Sequence, residues 1–274
     1  MLKNTLFLSL FSSLILASCS PLTFYQLYNI DSVKDDVTKI EEQYFFEDEN
    51  CTISYEFWEK GGVVSFVFYN KSDNTIVIHL NESSFILNDF ANDYYQNMVY
   101  TRTTGRSASS SRSKGASILF SGDDLYQSIQ ARQYGLVNSA SLGTSVEYSV
   151  SFQEDSIIRI PPKSAKRISE FSINETYFLE CDLETYPKIS LPSTVKYSQS
   201  DSPFSFRNRM VYSKDGQKFV ADNAFYVSEI TNYATNDFFE YGYPVYCEKE
   251  TSSKKRYFKY QDSNKFYVRY LKPR

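Results

Sequence analysis

Histidine is almost missing from this chain: there is one, His79, in 274 residues. Hydrolytic devices of the Ser-His-Asp or Cys-His kind need a histidine as general base. His79 would have to serve any such centre. It stands in "TIVIHL", opposite the face of Ile76, Ile78 and Leu80, and reads as a cross-strand or surface residue. Neither a nucleophile-elbow pattern nor an HExxH helix occurs. Cysteine is scarce as well. None of the four has CxxC spacing, so a zinc site lacks its usual ligand set and no metal or cofactor is expected. No apolar run reaches the roughly 18 residues that a spanning helix needs, and the chain shows no internal repeat.

What is present begins with a short apolar run. Lys3 and the N-terminus bring positive charge, and "LFLSLFSSLILA" follows over residues 6 to 17. That is the anatomy of a secretory signal. Leu16-Ala17-Ser18-Cys19 resembles the lipobox of bacterial lipoproteins. The resemblance implies cleavage before Cys19, a thioether to diacylglycerol on its thiol and usually a further acyl chain such as palmitate. Each buried methylene contributes about 0.8 kcal/mol, so two or three chains hold a protein on a membrane almost permanently. Residues 1–18 are therefore expected to be a signal peptide and Cys19 a lipid anchor. Residues 19–45 would be a tether, with one or two helical turns in "VKDDVTKIEEQYF".

Composition points to β structure. Aromatic residues make up 17% of the chain, with 24 Tyr and 22 Phe, and aromatic and β-branched residues favour pleated, half-buried surfaces. Hydrophobic content of 42% supports a real core, and the net charge of -4 names no partner. The charge is unevenly placed. Eight acids face two lysines from Asp31 to Asn50, and eight basic residues face one acid, Asp262, from Lys254 to Arg274.

In "TISYEFW", Ile53, Tyr55 and Phe57 share one face. "VVSFVFYN" is apolar on both faces, as a central strand should be. "EKGG" and "NKSDN" are turns. Two prolines in "SIIRIPPKSAKRISEFSI" mark a corner between a strand ending at Ile160 and one starting near Ala165. "RYFKYQDSNKFYVRYL" reads as a hairpin around Asp-Ser-Asn. Residues 103 to 117, with six serines and no large apolar side chain, read as a flexible loop. Further on, "ILFSGDDLYQSIQARQYGL" reads as partly helical. Short strands punctuated by turns define the expectation of an all-β protein. It would be an antiparallel, immunoglobulin-like β-sandwich over residues 46–274, with long loops and minor helix.

"FEDENCTISYEFWEKGG", "FYNKSDNTIVIHLNESSFILND", "NDYYQN", "IPPKSAKRISEF" and "FYVSEITNY" resemble a group of uncharacterised lipoproteins of Bacteroidetes-type bacteria. The resemblance covers roughly residues 45 to 235 and implies envelope localisation and a β fold, with no activity attached. A Gly after Asn88 would fit the group's turn, but Asp89 stands there. "DSV" and "DSI" resemble the O-glycosylation sequon of exported proteins of that group, which makes Ser32 and Ser156 candidate glycosylation sites. No acidic run follows Cys19, and this tilts the expected location toward the periplasmic leaflet of the outer membrane.

Three cysteines remain after Cys19. In an oxidising compartment they allow one disulfide and one free thiol. Cys51 opens a strand and reads as buried and inert. Cys181 and Cys247 lie in irregular segments and form the favoured pair, with no bridge as the alternative. "NDFANDYY" offers Asn88, Asp89, Asn92 and Asp93 as hard oxygen donors for calcium, against ordinary turn formation. The C-terminal stretch interleaves Lys254, Lys255, Arg256, Lys259, Lys265 and Arg269 with Tyr257, Phe258, Tyr260, Phe266 and Tyr267. The compartment argues against nucleic acid as partner. An anionic glycan or lipid headgroup is the functional reading, and an edge hairpin protected by its lysines is the structural one. Two function classes follow. One is a non-enzymatic, membrane-tethered module that binds an envelope protein or glycan. The other is a glycan hydrolase that uses two carboxylates.

Overall fold

The computed structural model describes residues 22–33, 37–97, 99–104, 148–247 and 249–273. The Ser-rich 103–117 loop, from Gly105 on, and the helical expectation at 118–136 lie outside the described residues, as does Cys19. What is described is an all-β antiparallel sandwich with minor helix.

The larger sheet is built on β1 (Thr23–Ser32), β6 (Ile76–His79), β11 (Ile157–Ile160), β14 (Ser205–Lys214), β15 (Gln217–Ala234) and β20 (Lys265–Leu271). They run in the order β11-β6-β14-β15-β1-β20. β7 (Ser84–Leu87) and β8 (Phe90–Asp93) extend it beside β14, and β13 (Ser193–Lys196) pairs with β15. The smaller sheet contains β2 (Val37–Ile40), β3 (Gln43–Glu47), β4 (Cys51–Glu56), β5 (Val63–Asn70) and β12 (Ala165–Ser172), in the order β12-β5-β4-β3-β2. β9 (Val99–Thr104) and β10 (Tyr148–Gln153) form a separate ladder.

The core lies between the two large sheets. Ile53, Tyr55 and Phe57 of the expected apolar face are fully buried, as are Phe66, Phe68, Ile76 and Ile78. The ring of Phe225 sits 4.9 Å from Tyr55 and 5.3 Å from Phe57. A polar chain crosses this apolar centre. Tyr94 donates to Asn208 (2.8 Å), Asn208 donates to Tyr55 (3.0 Å), and Tyr55 donates to Asn223 (2.7 Å). Buried polar groups need partners of this kind, because an unpaired one costs about 1–3 kcal/mol. The proline corner falls as expected between β11 and β12. Buried Asn70 fastens it, its amide shared among the carbonyls of Asn74, Ile160 and Pro161 at 2.8–3.0 Å.

Three expectations need correction. The first is the tether of residues 19–45, which instead contains β1, β2 and β3, and β1 is an interior strand of the larger sheet. The second is the helical turns near residues 33–45. They give way to a β2–β3 hairpin that turns at Glu41 (φ 50°). A helix of one or two turns repays its nucleation only where tertiary packing holds it, whereas here β3 gains a ladder with β4. The third is the hairpin at residues 256–271. β19 (Lys255–Phe258) and β20 flank the Asp262-Ser263-Asn264 turn but pair with different partners, β20 with β1 and β19 with β16 (Phe239–Gly242). At Asn88-Asp89 both residues take positive φ (47° and 68°), the type I′ geometry of a two-residue hairpin. Aspartate fills the place where glycine was expected.

Candidate functional site

Both faces of β1 are covered. Tyr28 and Ile30 point into the sandwich, while Tyr25 and Leu27 point outward into a second, aromatic cluster with Tyr233, Phe238 and Phe239. Phe238 ends a single helical turn, α1 (Thr235–Phe238), and stacks on Tyr25 with ring centroids 4.6 Å apart. Trp58, Phe258, Tyr260 and Tyr267 close this cluster. Its burial fixes the root of an arm that runs outward from residue 239 and returns at 260.

The arm is a ladder of β16 and β19, extended by the two-residue strands β17 (Val245–Tyr246) and β18 (Lys249–Glu250). Register places Phe239 opposite Phe258 and Tyr241 opposite Arg256 on one face. The Arg256 guanidinium lies 4.1 Å from the centre of the Phe239 ring, a close cation–π stack. On the other face the Tyr257 ring lies against Gly242, where an added Cβ would already touch it at 3.5 Å. Toward the tip, Lys254 stands 5.3 Å from the Tyr243 ring centre. Lys255 donates to the Tyr246 hydroxyl at 3.1 Å, and this contact raises its pKa and keeps it charged. Tyr241, Tyr243, Val245, Tyr246 and Tyr257 are all exposed, Tyr241 at 66%. Among the described residues six rings are exposed, and four of them gather here, interleaved with cations. Clustered exposure of this kind is a feature of contact surfaces.

The sequence reading reached only half of this surface. It gathered Lys254, Lys255, Arg256 and Tyr257, but also Phe266 and Tyr267. The first of these two is fully buried and the second belongs to the aromatic cluster. It missed Tyr241, Tyr243, Val245 and Tyr246. Their alternation in "EYGYPVY" was the available cue, but nothing local says that this segment pairs with residues 255–258.

The remaining candidates scatter. Cys51 is buried, and burial pushes its thiol pKa well above the usual range. Cys181 and Cys247 are both free and exposed, and the structure does not join them. Cys247 turns the tip of the arm with φ 48°. Ser32 closes β1, half-buried and paired with Phe225. Ser156 precedes β11, and its carbonyl accepts the Leu80 N–H at 2.9 Å. His79 Nε2 lies 2.8 Å from Ser213 Oγ, a contact between neighbouring strands. The nearby carboxylate, Glu82, is held by two hydrogen bonds from Lys218, which also lower its pKa. Asn88 is taken up by the backbone of Pro203 and Ser205, and Asp93 accepts from Ser84. Among the described residues no group of three or more His, Cys, Asp or Glu gathers to hold a metal ion.

A cleft of about 400 Å³ opens between the β2–β3 turn and residues 261–263. Glu41, Glu42, Glu56 and Asp262 line it. Glu56 accepts from the Trp58 N–H and the Ser263 hydroxyl, Glu42 pairs with Lys39, and Asp262 pairs with Lys265. No protein-family model, curated protein sequence or solved structure matches this chain.

Proposed function

We propose that this chain is an extracytoplasmic lipoprotein, anchored by acylated Cys19 in the outer membrane, that works as a non-enzymatic binding or envelope-assembly module. Its contact surface is the aromatic and basic arm. The observation that carries this reading is the interleaving of exposed Tyr241, Tyr243, Tyr246 and Tyr257 with Lys254, Lys255 and Arg256. Tyrosine faces stack on sugar rings and the cations meet carboxylates or sulfates, which fits an anionic envelope glycan. A lipid tether raises the effective concentration of any partner on the same membrane.

Two measurements test it. Metabolic labelling with an acyl probe should tag the wild type and not Cys19→Ser, and equal labelling of both would remove the anchor. The second measurement is binding of the full chain to anionic and neutral polysaccharides. Tyr241→Ala combined with Tyr246→Ala should weaken binding to the anionic ligand by about tenfold or more, since exposed aromatics are frequent hot spots at about 1–2 kcal/mol each. Binding should also weaken with salt. Both side chains are exposed, so the thermal midpoint should stay where it is. Unchanged affinity would remove the arm as the contact surface.

The acid-lined cleft favours a second reading, a hydrolase of envelope glycan using paired carboxylates. Turnover of a glycan that disappears in Glu56→Gln or Asp262→Asn would establish it and displace the binding reading.

A further inference from the structure

Four large aliphatic side chains stand in water at one end of the sandwich. Leu22 is 64% exposed, Ile189 58%, Leu191 64% and Leu271 47%. They are far apart in sequence, but backbone pairing brings their segments to the same end of the larger sheet. Leu271 pairs in register with Thr23, and the Lys272 N–H donates to the Leu22 carbonyl at 2.9 Å. Thr235 donates to the Thr23 carbonyl at 2.5 Å, which brings α1 to the same end. Asp237 of α1 accepts the Ser190 N–H at 2.8 Å, and this fixes Ile189 and Leu191 beside it. Lys272 lies 5.1 Å from the ring centre of Tyr186, and the Tyr186 ring packs 5.3 Å from Phe24. Lys188 is exposed on the same turn. The result is an end of the sheet, where β1 begins and β20 ends, that carries four exposed aliphatic side chains and two lysines.

The length of chain before this end says what covers it. Cys19 precedes Leu22 by three residues. Three residues span at most about 11 Å. An acylated Cys19 therefore holds Leu22 at the headgroup layer, and so short a leash leaves this end no room to face elsewhere. Apolar side chains at such a surface sink about 5–10 Å into the boundary between headgroups and acyl chains, and lysines at the same end meet anionic headgroups.

We propose that the end carrying Leu22, Ile189, Leu191 and Leu271 is a membrane-contacting face that seats on the lipid interface beside Cys19. The inference rests on the reading that Cys19 carries lipid. It adds that the domain is held at a fixed orientation and does not swing on a flexible stalk.

The test uses the full acylated chain in vesicles of phosphatidylethanolamine and phosphatidylglycerol, with Cys181 and Cys247 changed to Ser. An environment-sensitive probe is placed on Ile189→Cys in one sample. In the other it is placed on Gln217→Cys, at the opposite end of the 18-residue strand β15. A shallow nitroxide lipid should remove about half or more of the Ile189 emission, because that depth lies within its reach, and leave the Gln217 probe unchanged. Acyl labelling is measured on the same samples. A labelled, vesicle-bound protein whose Ile189 probe stays unquenched would overturn the proposal and leave the anchor intact. A protein that takes no acyl label would remove the anchor and the proposal with it.

Discussion

Raising the pH from 10 to 11 should unfold this protein in one cooperative step. Tyr28, Tyr44, Tyr94, Tyr212, Tyr233 and Tyr270 are all buried. Burial raises each phenol pKa well above the ordinary value, because the phenolate would lose its hydration. Tyr44 and Tyr212 also donate to the carboxylates of Asp31 and Asp48, whose charge opposes a phenolate further. An unfolded chain ionises these groups near pH 10, while the folded chain keeps them protonated. Their contribution is therefore fully present below pH 10 and is lost as the pH rises above it. Each phenol that must stay protonated costs about 1.4 kcal/mol per pH unit in that range. Six of them remove as much as about 8 kcal/mol at pH 11, out of the 5–15 kcal/mol that holds a typical domain. Tyrosinate absorbance and far-ultraviolet circular dichroism followed together check this. A first, shallow ionisation of exposed rings should precede a steep one that coincides with loss of the β signal. Smooth titration of every tyrosine near pH 10 with the β signal intact would contradict it.

The same rings explain what could be read from the sequence. Where one face is buried and the other wet, as at Ile53, Tyr55 and Phe57, strict alternation gives the strand and its orientation. Prolines 161 and 162 place the corner between β11 and β12 because neither can donate to a ladder. β1 escaped notice because its inner face carries Gln26. That side chain is fully buried, and its amide pairs with both backbone groups of Phe178 (2.9 and 2.7 Å) and takes the Tyr28 hydroxyl. A polar residue satisfied this way looks like a loop residue in a linear pattern, so "TFYQLYNIDS" reads as tether. The arm was only half legible for a different reason. β16 and β19 are separated by more than ten residues, and cross-strand partners at that range leave no periodic trace. Arg256 looks like any basic residue until the ladder brings it over Phe239.

Gly62→Ala should cost more stability than any other single-methyl addition at a described glycine. Gly62 sits in the turn between β4 and β5 with φ 65°, a conformation that costs a residue with a Cβ about 1–2 kcal/mol. Space is shorter still. A Cβ there would lie 2.7–2.9 Å from three carbons of the Phe266 ring. That ring cannot retreat easily. It is fully buried and stacks face to face on Tyr28 at 4.3 Å, and the Tyr28 hydroxyl is itself held by Gln26 and Asn174. Overpacking of this kind adds about 1–3 kcal/mol. The sum lowers the thermal midpoint by on the order of 10 °C for a domain of this size. Gly216→Ala is the matched control. Its φ is 80°, but no atom lies within 4 Å of the added Cβ, so only the backbone strain remains. Phe266→Ala supplies the second control. In that background the clash is gone, and Gly62→Ala should cost no more than Gly216→Ala, a coupling that a double-mutant cycle reads directly. If Gly62→Ala and Gly216→Ala shift the midpoint equally in the wild-type background, the Phe266 ring does not set the packing of this turn. The β4–β5 connection would then be held chiefly by its backbone hydrogen bonds to Ile173, Asn174, Ser263 and Tyr267.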